Sequence, residues 1–144
     1  MFTQPWIVYA ALAAVAAALT NIFGRIGVKH IDSTFATTMR SAVMFVFMLA
    51  ACTRLDRWQH WRQLDSRAAF WIVLSGAAGA TSWLFGFKAL SLSTGTVWRV
   101  GSIDKLSVPL AAVLALIILG EKPGLVNWVG IGLIVCGAWL SALK

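Results

Sequence analysis

The segment Arg99–Gly120, "RVGSIDKLSVPLAAVLALIILG", places three ionisable side chains at the start of a long apolar run. Arg99, Asp104 and Lys105 are followed by Pro109 and then by uncharged residues as far as Gly120. If such a run crosses a lipid bilayer, a charged group near its centre costs at least about 2.5 kcal/mol. We therefore expect these charges to face a partner or a water-filled cavity.

The composition of the whole chain indicates a membrane location. Of its 144 residues, 60% are hydrophobic and 12% are charged, and the mean hydropathy is +0.82. Ordinary soluble domains carry about 25% charged residues. Because a soluble globule of this length could not hide so much apolar surface, the sequence predicts an integral membrane protein.

Basic residues outnumber acidic ones, at 12 against 5, and the formal net charge is +7. In a soluble protein this excess would suggest a nucleic-acid partner. Here the basic residues lie mostly beside apolar segments, where phospholipid headgroups are the expected partner. We therefore expect contact with membrane lipid and none with nucleic acid.

The sequence contains no pattern typical of an enzyme. A nucleophile paired with a base is not visible, so we assign no catalytic residue. Cys52 and Cys136 lack the spacing of metal ligands, and we interpret them as small buried apolar side chains. We expect no metal site and no cofactor.

Five segments have the roughly 20 residues that a helix needs to cross a bilayer. They are Trp6–Gly27, Ser33–Thr53, Arg67–Leu90, Gly95–Gly120 and Gly124–Leu143. Because lipid offers no hydrogen-bond partner to the backbone, the chain is expected to form an all-α bundle of five transmembrane helices, one domain over residues 1–144. The polar stretch Arg54–Arg67 between the second and third segments is interpreted as a loop at the membrane surface.

Small residues in the third and fifth segments are expected to let helices approach closely, because apolar side chains gain little over lipid. They are Ser75, Gly76, Gly79, Ala80, Gly130, Gly132 and Gly137.

The pair Asp104 and Lys105 is predicted to lie near the middle of the membrane. Counted from Gly95 at about 1.5 Å per residue, Asp104 lies roughly 13 Å along a core of about 30 Å. Ser107 lies on the same helical face as Asp104. Pro109 has no N–H group, so it is expected to kink the helix and leave the carbonyl of Lys105 without its usual partner.

Two interpretations of the charge pair remain open. Adjacent residues on a helix point about 100° apart, so each is expected to pair with another helix. Arg40 is the candidate partner of Asp104, and Asn21 or a carbonyl that of Lys105. The pair is either a structural ion pair or a substrate- or proton-binding site, which we favour because ionisable groups inside membranes mark substrate pathways. Trp83, which follows the small-residue run "SGAAGATS", is a candidate wall of the same cavity.

The basic residues at the helix ends and between the helices are distributed almost evenly over the two membrane faces. Three basic residues lie on the face opposite the N-terminus and five on its own face: Arg54, Arg57, Arg62, Arg67 and Lys122. Positive charge sets the orientation of membrane proteins, and so weak a bias predicts insertion in both orientations.

Three stretches resemble the EamA-type domain of the drug/metabolite transporter superfamily: "GSIDKLSVPLAAVLALIILGEKPGLVNWVGIGLIVCGAWL", "SWLFGFKAL" and "ATTMRSAV". Many members of that family carry two such five-helix units in inverted orientation, whereas this chain has one. The resemblance implies one half of an inverted-repeat secondary transporter with alternating access, for a small organic metabolite, in a prokaryotic inner or plasma membrane. It also implies that a second, inverted copy completes the transporter as an antiparallel homodimer.

The charges in the predicted helices bear on the solute. Small four-helix relatives carry a glutamate in the first helix for cations, and this sequence has no acid there. Because Arg40 and Lys105 outnumber Asp104, an anionic or zwitterionic solute is favoured. Two other functions remain open at this point, an accessory or structural membrane subunit and a flippase for a lipid-linked metabolite.

Overall fold

A computed structural model describes residues 4–143, and their regular secondary structure is helical. The helices are α1 (Pro5–Gly27), α2 (Ser33–Arg54), α3 (Ser66–Ser91), α4 (Val97–Asp104), α5 (Ser107–Leu114) and α6 (Leu125–Ala142). A 3₁₀ turn (Trp58–Gln63) follows α2, and a π-helical turn (Ala115–Leu119) extends α5. Five stretches are long and apolar enough to span a membrane, with Val97–Leu119 counted as one. The predicted all-α class and its five spans are confirmed.

Capping residues explain where several of these helices begin and end. The carboxylate of Asp32 accepts hydrogen bonds from the backbone N–H groups of Thr34 and Phe35, at 2.9 and 3.0 Å, and so caps α2. Asp65 accepts one from the N–H of Ala68 at the start of α3. Gly120 ends the fourth span with a φ of 71°, a left-handed conformation that favours glycine.

The cap at α2 predicts a measurable loss of stability when it is removed. The hydrogen bond from the Phe35 N–H is the largest cause that lowers the pKa of Asp32 below its ordinary value of 3.8. A carboxylate with a lowered pKa stabilises the fold above its ordinary pKa, and this contribution disappears as the pH falls through the lowered value. Asp32→Ala is therefore expected to lower the thermal unfolding midpoint at pH 7, with a difference from the parent that shrinks below pH 3.8.

Asp32→Asn is the matched control, because its amide oxygen still accepts a hydrogen bond but does not titrate. It is expected to unfold near the parent's midpoint at pH 7. Thermal unfolding in detergent, followed by circular dichroism over a pH series, measures both variants. An alanine variant as stable as the parent at pH 7 would contradict the capping role.

The fourth span differs from the prediction at Lys105 and Leu106, between α4 and α5. The backbone there keeps right-handed helical angles but tightens, so that N–H groups bond to carbonyls three residues earlier instead of four, and this tightened turn is called the break below. Pro109 explains the position of the break: a proline removes the hydrogen bond to the carbonyl four residues earlier, and its ring clashes with that carbonyl. The carbonyl concerned belongs to Lys105, and it accepts the N–H of Val108 at 3.1 Å instead. The prediction of a free carbonyl at Lys105 is therefore wrong, since the helix restarts ahead of the proline.

The chain forms two compact units, which are described separately. One unit comprises residues 4–25 and 92–143 of the described chain. In it, α6 packs against α4 and α5, and the guanidinium of Arg25 donates a hydrogen bond to the carbonyl of Leu92 at 3.1 Å.

The other unit is Ile26–Ser91, in which α2 packs against α3. The charge of Lys88, near the end of α3, acts on Asp32, at the start of α2. The two helices are therefore antiparallel.

Few apolar side chains are buried within the chain. Between residues 4 and 143, the buried apolar residues are Val28, Phe87, Leu90 and Ala138. Large apolar side chains are exposed on every span, as expected of surfaces that lipid or a partner covers. Cys52 is half-buried and Cys136 is exposed, both as free thiols. The prediction that the cysteines are buried is therefore wrong.

The glycines expected to bring helices together do not do so within the described chain. A Cβ atom built on any of these glycines would meet no described atom within 4 Å: Gly76, Gly79, Gly130, Gly132 and Gly137. Gly101 on α4 is different, because a Cβ there would lie 3.7 Å from Nδ2 of Asn21 on α1. Close approach of another group thus occurs at a glycine outside the predicted set.

Candidate functional site

Asp104 and Lys105 lie at the break in the fourth span. The Nζ atom of Lys105 is 4.0 Å from Oδ2 of Asp104, and the two side chains are 57% and 59% exposed, respectively. Each side chain was predicted to pair with another helix, but in the described chain the two neighbours pair with each other. The backbone of Lys105 keeps right-handed helical angles, so the two side chains start in different directions, and the long lysine side chain spans the gap to the carboxylate.

The position of this pair along the span makes its exposure significant. Asp104 lies seven residues after Val97, or roughly 10 Å along an axis with a rise of about 1.5 Å per residue. Ser107, the first residue of α5, is exposed as well. A carboxylate, an ammonium and a hydroxyl therefore surround the break, well inside a membrane-length segment. Such groups require water or polar partners.

Asn21 lies half-buried on α1 and faces α4 in the same unit. Its Nδ2 atom lies 3.7 Å from the position that a Cβ atom on Gly101 would occupy, and Gly101 is four residues before Lys105. A Cβ atom at position 101 would meet the amide at an ordinary van der Waals distance, so the two helices pack closely here. The pairing of Asn21 with Lys105 stays a prediction. Asn21 lies beside Gly101, which is about one helical turn before Lys105.

In the second unit, two aromatic rings hold the guanidinium group of Arg40. Its Cζ atom lies 4.5 Å from the ring centroid of Trp83 and 4.8 Å from that of Phe87. The rings share one face of α3 because they are four residues apart. Both distances are within the range in which a cation is attracted to the face of an aromatic ring.

This cluster unites two residues that the sequence identified separately, Arg40 and Trp83. Phe87 was missed, although its spacing of four residues from Trp83 was a usable signal. Arg40 and Asp104 belong to different compact units, so their pairing stays a prediction.

One nitrogen of Arg40 lacks a hydrogen bond. Nη1 is buried and has no acceptor among the described residues. Arg40 lies seven residues after Ser33, roughly 10 Å along α2. An unsatisfied N–H at this depth is costly, because lipid supplies no acceptor.

A small cleft of about 190 Å³ lies beside this cluster, between α2 and α3. Its lining consists of Thr37, Thr38, Ser41, Ala80 and Leu84. Each hydroxyl donates to a carbonyl four residues earlier on α2, at distances of 2.7 to 2.9 Å. Their oxygens therefore remain available as acceptors. The sequence did not indicate this cleft, because it depends on which faces of the two helices meet.

Five membrane-length segments define a multi-pass membrane protein. Charged groups lie inside the second and fourth of them, at Arg40, Asp104 and Lys105, and such groups are typical of solute pathways. The model of the EamA-like transporter family matches residues 4–143. A curated relative from a Sinorhizobium species, named "Uncharacterized transporter in cobO 3'region", is 39% identical over 141 residues, which are 98% of this chain and 99% of the relative. No solved structure matches. The chain belongs to the EamA-like transporter family, as the resemblance indicated, and is a membrane transporter.

Proposed function

We propose that the protein is a secondary transporter that moves a small organic solute by alternating access. Asp104 and Lys105 line the solute path, and two antiparallel copies form the working unit in a prokaryotic inner or plasma membrane. The observation that carries this proposal is the exposed pair of charges at the break in the fourth span.

The physical argument concerns the solvation of those charges. A carboxylate and an ammonium that are more than half exposed cannot face hydrocarbon without a large cost, so a water-filled path or a second copy must cover them. A tightened turn of the 3₁₀ type inside a helix also often marks a functional hinge. The pair and the break occur at the same residues here, which favours a path over a structural contact.

The antiparallel arrangement is supported by the number of units and by the charge distribution. The chain has five spans, and the relative matched over 99% of its length corresponds to one such unit as well. Inverted units in transporters are related by an axis in the membrane plane. With five basic residues on one face and three on the other, the positive charge favours neither orientation strongly.

Cysteine cross-linking tests this arrangement after Cys52 and Cys136 are replaced by serine. The proposed dimer has Asp104 and Lys105 near its two-fold axis, and a residue near such an axis lies close to its own copy. Asp104→Cys is therefore expected to cross-link between copies with a short bis-maleimide. Leu125→Cys is the control, because Leu125 is 85% exposed at the start of α6. In an antiparallel dimer its two copies lie near opposite faces, about 30 Å apart, and should not react.

Reporter fusions at Lys144 complete the test, with signals expected from both sides of the membrane. Cross-linking through Leu125→Cys, or a reporter signal from one side alone, would reject the antiparallel dimer. Uptake of a solute by purified protein in liposomes is expected without any other protein. Failure of every solute tested would favour the accessory-subunit interpretation.

A further inference from the structure

The surface loop between α2 and α3 carries a pocket of its own, built on a 3₁₀ turn. The turn, Trp58–Gln63, has about three residues per turn, so side chains three positions apart lie one above the other. His60 and Gln63 show this alignment directly, because Nδ1 of the histidine is 3.1 Å from Oε1 of the glutamine. By the same spacing, Trp58 aligns with Trp61. The turn therefore presents an aromatic strip of two indole rings.

The aromatic strip lies next to a polar one, formed by Gln59 and Arg62. A pocket of about 710 Å³ opens here, and its lining consists of Trp58, Gln59, Trp61 and Arg62. All four residues are exposed, and Trp61 is 72% exposed, so a ligand can reach each of them from outside. Ligand sites typically have volumes of about 300 to 1,000 Å³, with apolar walls and a few polar groups. The pocket therefore suits a molecule that is partly apolar and partly charged.

The pocket is fixed at the end of a membrane span. Nε1 of Trp58 donates a hydrogen bond to Oγ1 of Thr53, at 3.1 Å, and Thr53 lies in the last turn of α2. Both α2 and α3 are long and apolar enough to cross a membrane, so the loop that joins them lies at the level of the lipid headgroups. Tryptophan is enriched at this level. Phospholipid is therefore the ligand with the most direct access to the pocket.

The charges of the loop favour an anionic occupant. Residues 54–67 contain four arginines and two aspartates. One of these aspartates, Asp65, accepts a hydrogen bond from the backbone N–H of Ala68 at the start of α3. Within residues 4–143, the guanidinium of Arg62 forms no ion pair, so its donors are available to a ligand. A guanidinium group binds two phosphate oxygens side by side.

We propose that this pocket binds the headgroup of an anionic phospholipid of the surrounding membrane. The phosphate accepts hydrogen bonds from Arg62, and the glycerol and the upper part of an acyl chain lie against the indole rings of Trp58 and Trp61. A choline headgroup fits less well, because its ammonium adds positive charge to a loop that already has an excess. The site requires the loop and a membrane, and it does not depend on transport.

Thermal unfolding of the full chain in mixed micelles tests this site with two lipids of identical acyl chains, phosphatidylglycerol and phosphatidylcholine. A ligand that binds the folded state raises its apparent stability. At ten times its dissociation constant, phosphatidylglycerol is expected to raise the unfolding midpoint by about 4 °C more than phosphatidylcholine does. Equal midpoints with the two lipids would overturn the proposal.

Variants of two arginines separate a site from general attraction to a positive surface. Arg62→Gln is expected to abolish the difference between the lipids, and Arg62→Lys to reduce it, because an ammonium loses the planar pair of donors. Arg67→Gln is the matched control, since it removes the same charge at the exposed start of α3, outside the pocket lining. General attraction would weaken equally in both glutamine variants. Equal losses would therefore overturn the proposal.

A variant of the aromatic strip tests the pocket without changing any charge. Trp61→Ala is expected to remove most of the difference between the lipids, because it opens one wall of the pocket. Trp139→Ala is the control, because Trp139 is 63% exposed on α6 and does not line the pocket. A full difference in Trp61→Ala would reject the pocket as the site.

Inorganic phosphate distinguishes a lipid headgroup from a free anion. It offers oxygens to Arg62 but nothing to the indole rings, so it is expected to leave the unfolding midpoint unchanged at the lipid concentrations used. A shift as large as that with phosphatidylglycerol, lost in Arg62→Gln, would assign the pocket to free phosphate and reject the lipid.

Discussion

Asp104→Asn and Lys105→Ala are expected to give folded dimers that transport the solute at least tenfold more slowly than the parent. Both side chains are more than half exposed and 4.0 Å apart, so as an ion pair they contribute about 1 kcal/mol or less. Losing one of them should therefore leave the fold intact. A group that contacts the solute or a proton on its path affects every transport cycle, whatever its contribution to stability.

Proteoliposome uptake measures this effect, with the rate normalised to folded dimer and with a solute selected by its thermal stabilisation of the parent. Asp56→Asn is the control, because it neutralises an exposed carboxylate in the surface loop. If the pair were instead buried and structural, breaking it would cost about 3 to 5 kcal/mol and stability would fall together with transport. Normal transport by both variants would reject a functional site at the break.

Phe87→Ala is expected to lower the free energy of unfolding by about 3 to 5 kcal/mol, the usual cost of removing a buried aromatic ring. Phe87 is 5% exposed, and its ring centroid lies 4.8 Å from the Arg40 guanidinium carbon. The substitution therefore creates a cavity in the packed interface of α2 and α3. It also removes one of the two rings that attract a cation inside a membrane-length helix.

Phe85→Ala provides a matched control, because Phe85 is 73% exposed on the same helix. Its loss is expected to cost about 0.5 kcal/mol or less. Reversible unfolding in mixed micelles, followed by tryptophan fluorescence, compares the two variants. Equal losses for both would show that the chain does not use Phe87 as a core residue, and would weaken the assignment of the Arg40 cluster.

The broken fourth span shows how far local sequence reasoning extends. Pro109 was expected to leave the carbonyl of Lys105 without its usual partner, and the helix is irregular at this carbonyl. The predicted outcome was wrong, because a free carbonyl is costly away from water and the chain can relax. The N–H of Val108, three residues along the chain instead of four, donates to this carbonyl and satisfies it at little cost.

The candidate sites divide along the same line. Asp104, Lys105 and Arg40 stood out in the sequence because a charge in an apolar run is conspicuous wherever it points. Phe87 and the hydroxyl groups beside Arg40 did not, since an aromatic or a threonine in a membrane helix is ordinary until its neighbours are known.

The sequence by itself determined the five spans, the all-α class and the family, because hydropathy over about 20 residues and hydrogen bonding within each helix are local properties. The tertiary structure decided that Arg40 meets Trp83 and Phe87, that a cleft opens beside them and that the charge pair lies exposed at a break. These features depend on the rotation and register of one helix against another. Hydropathy carries little information about either, because apolar side chains gain nearly as much from lipid as from each other.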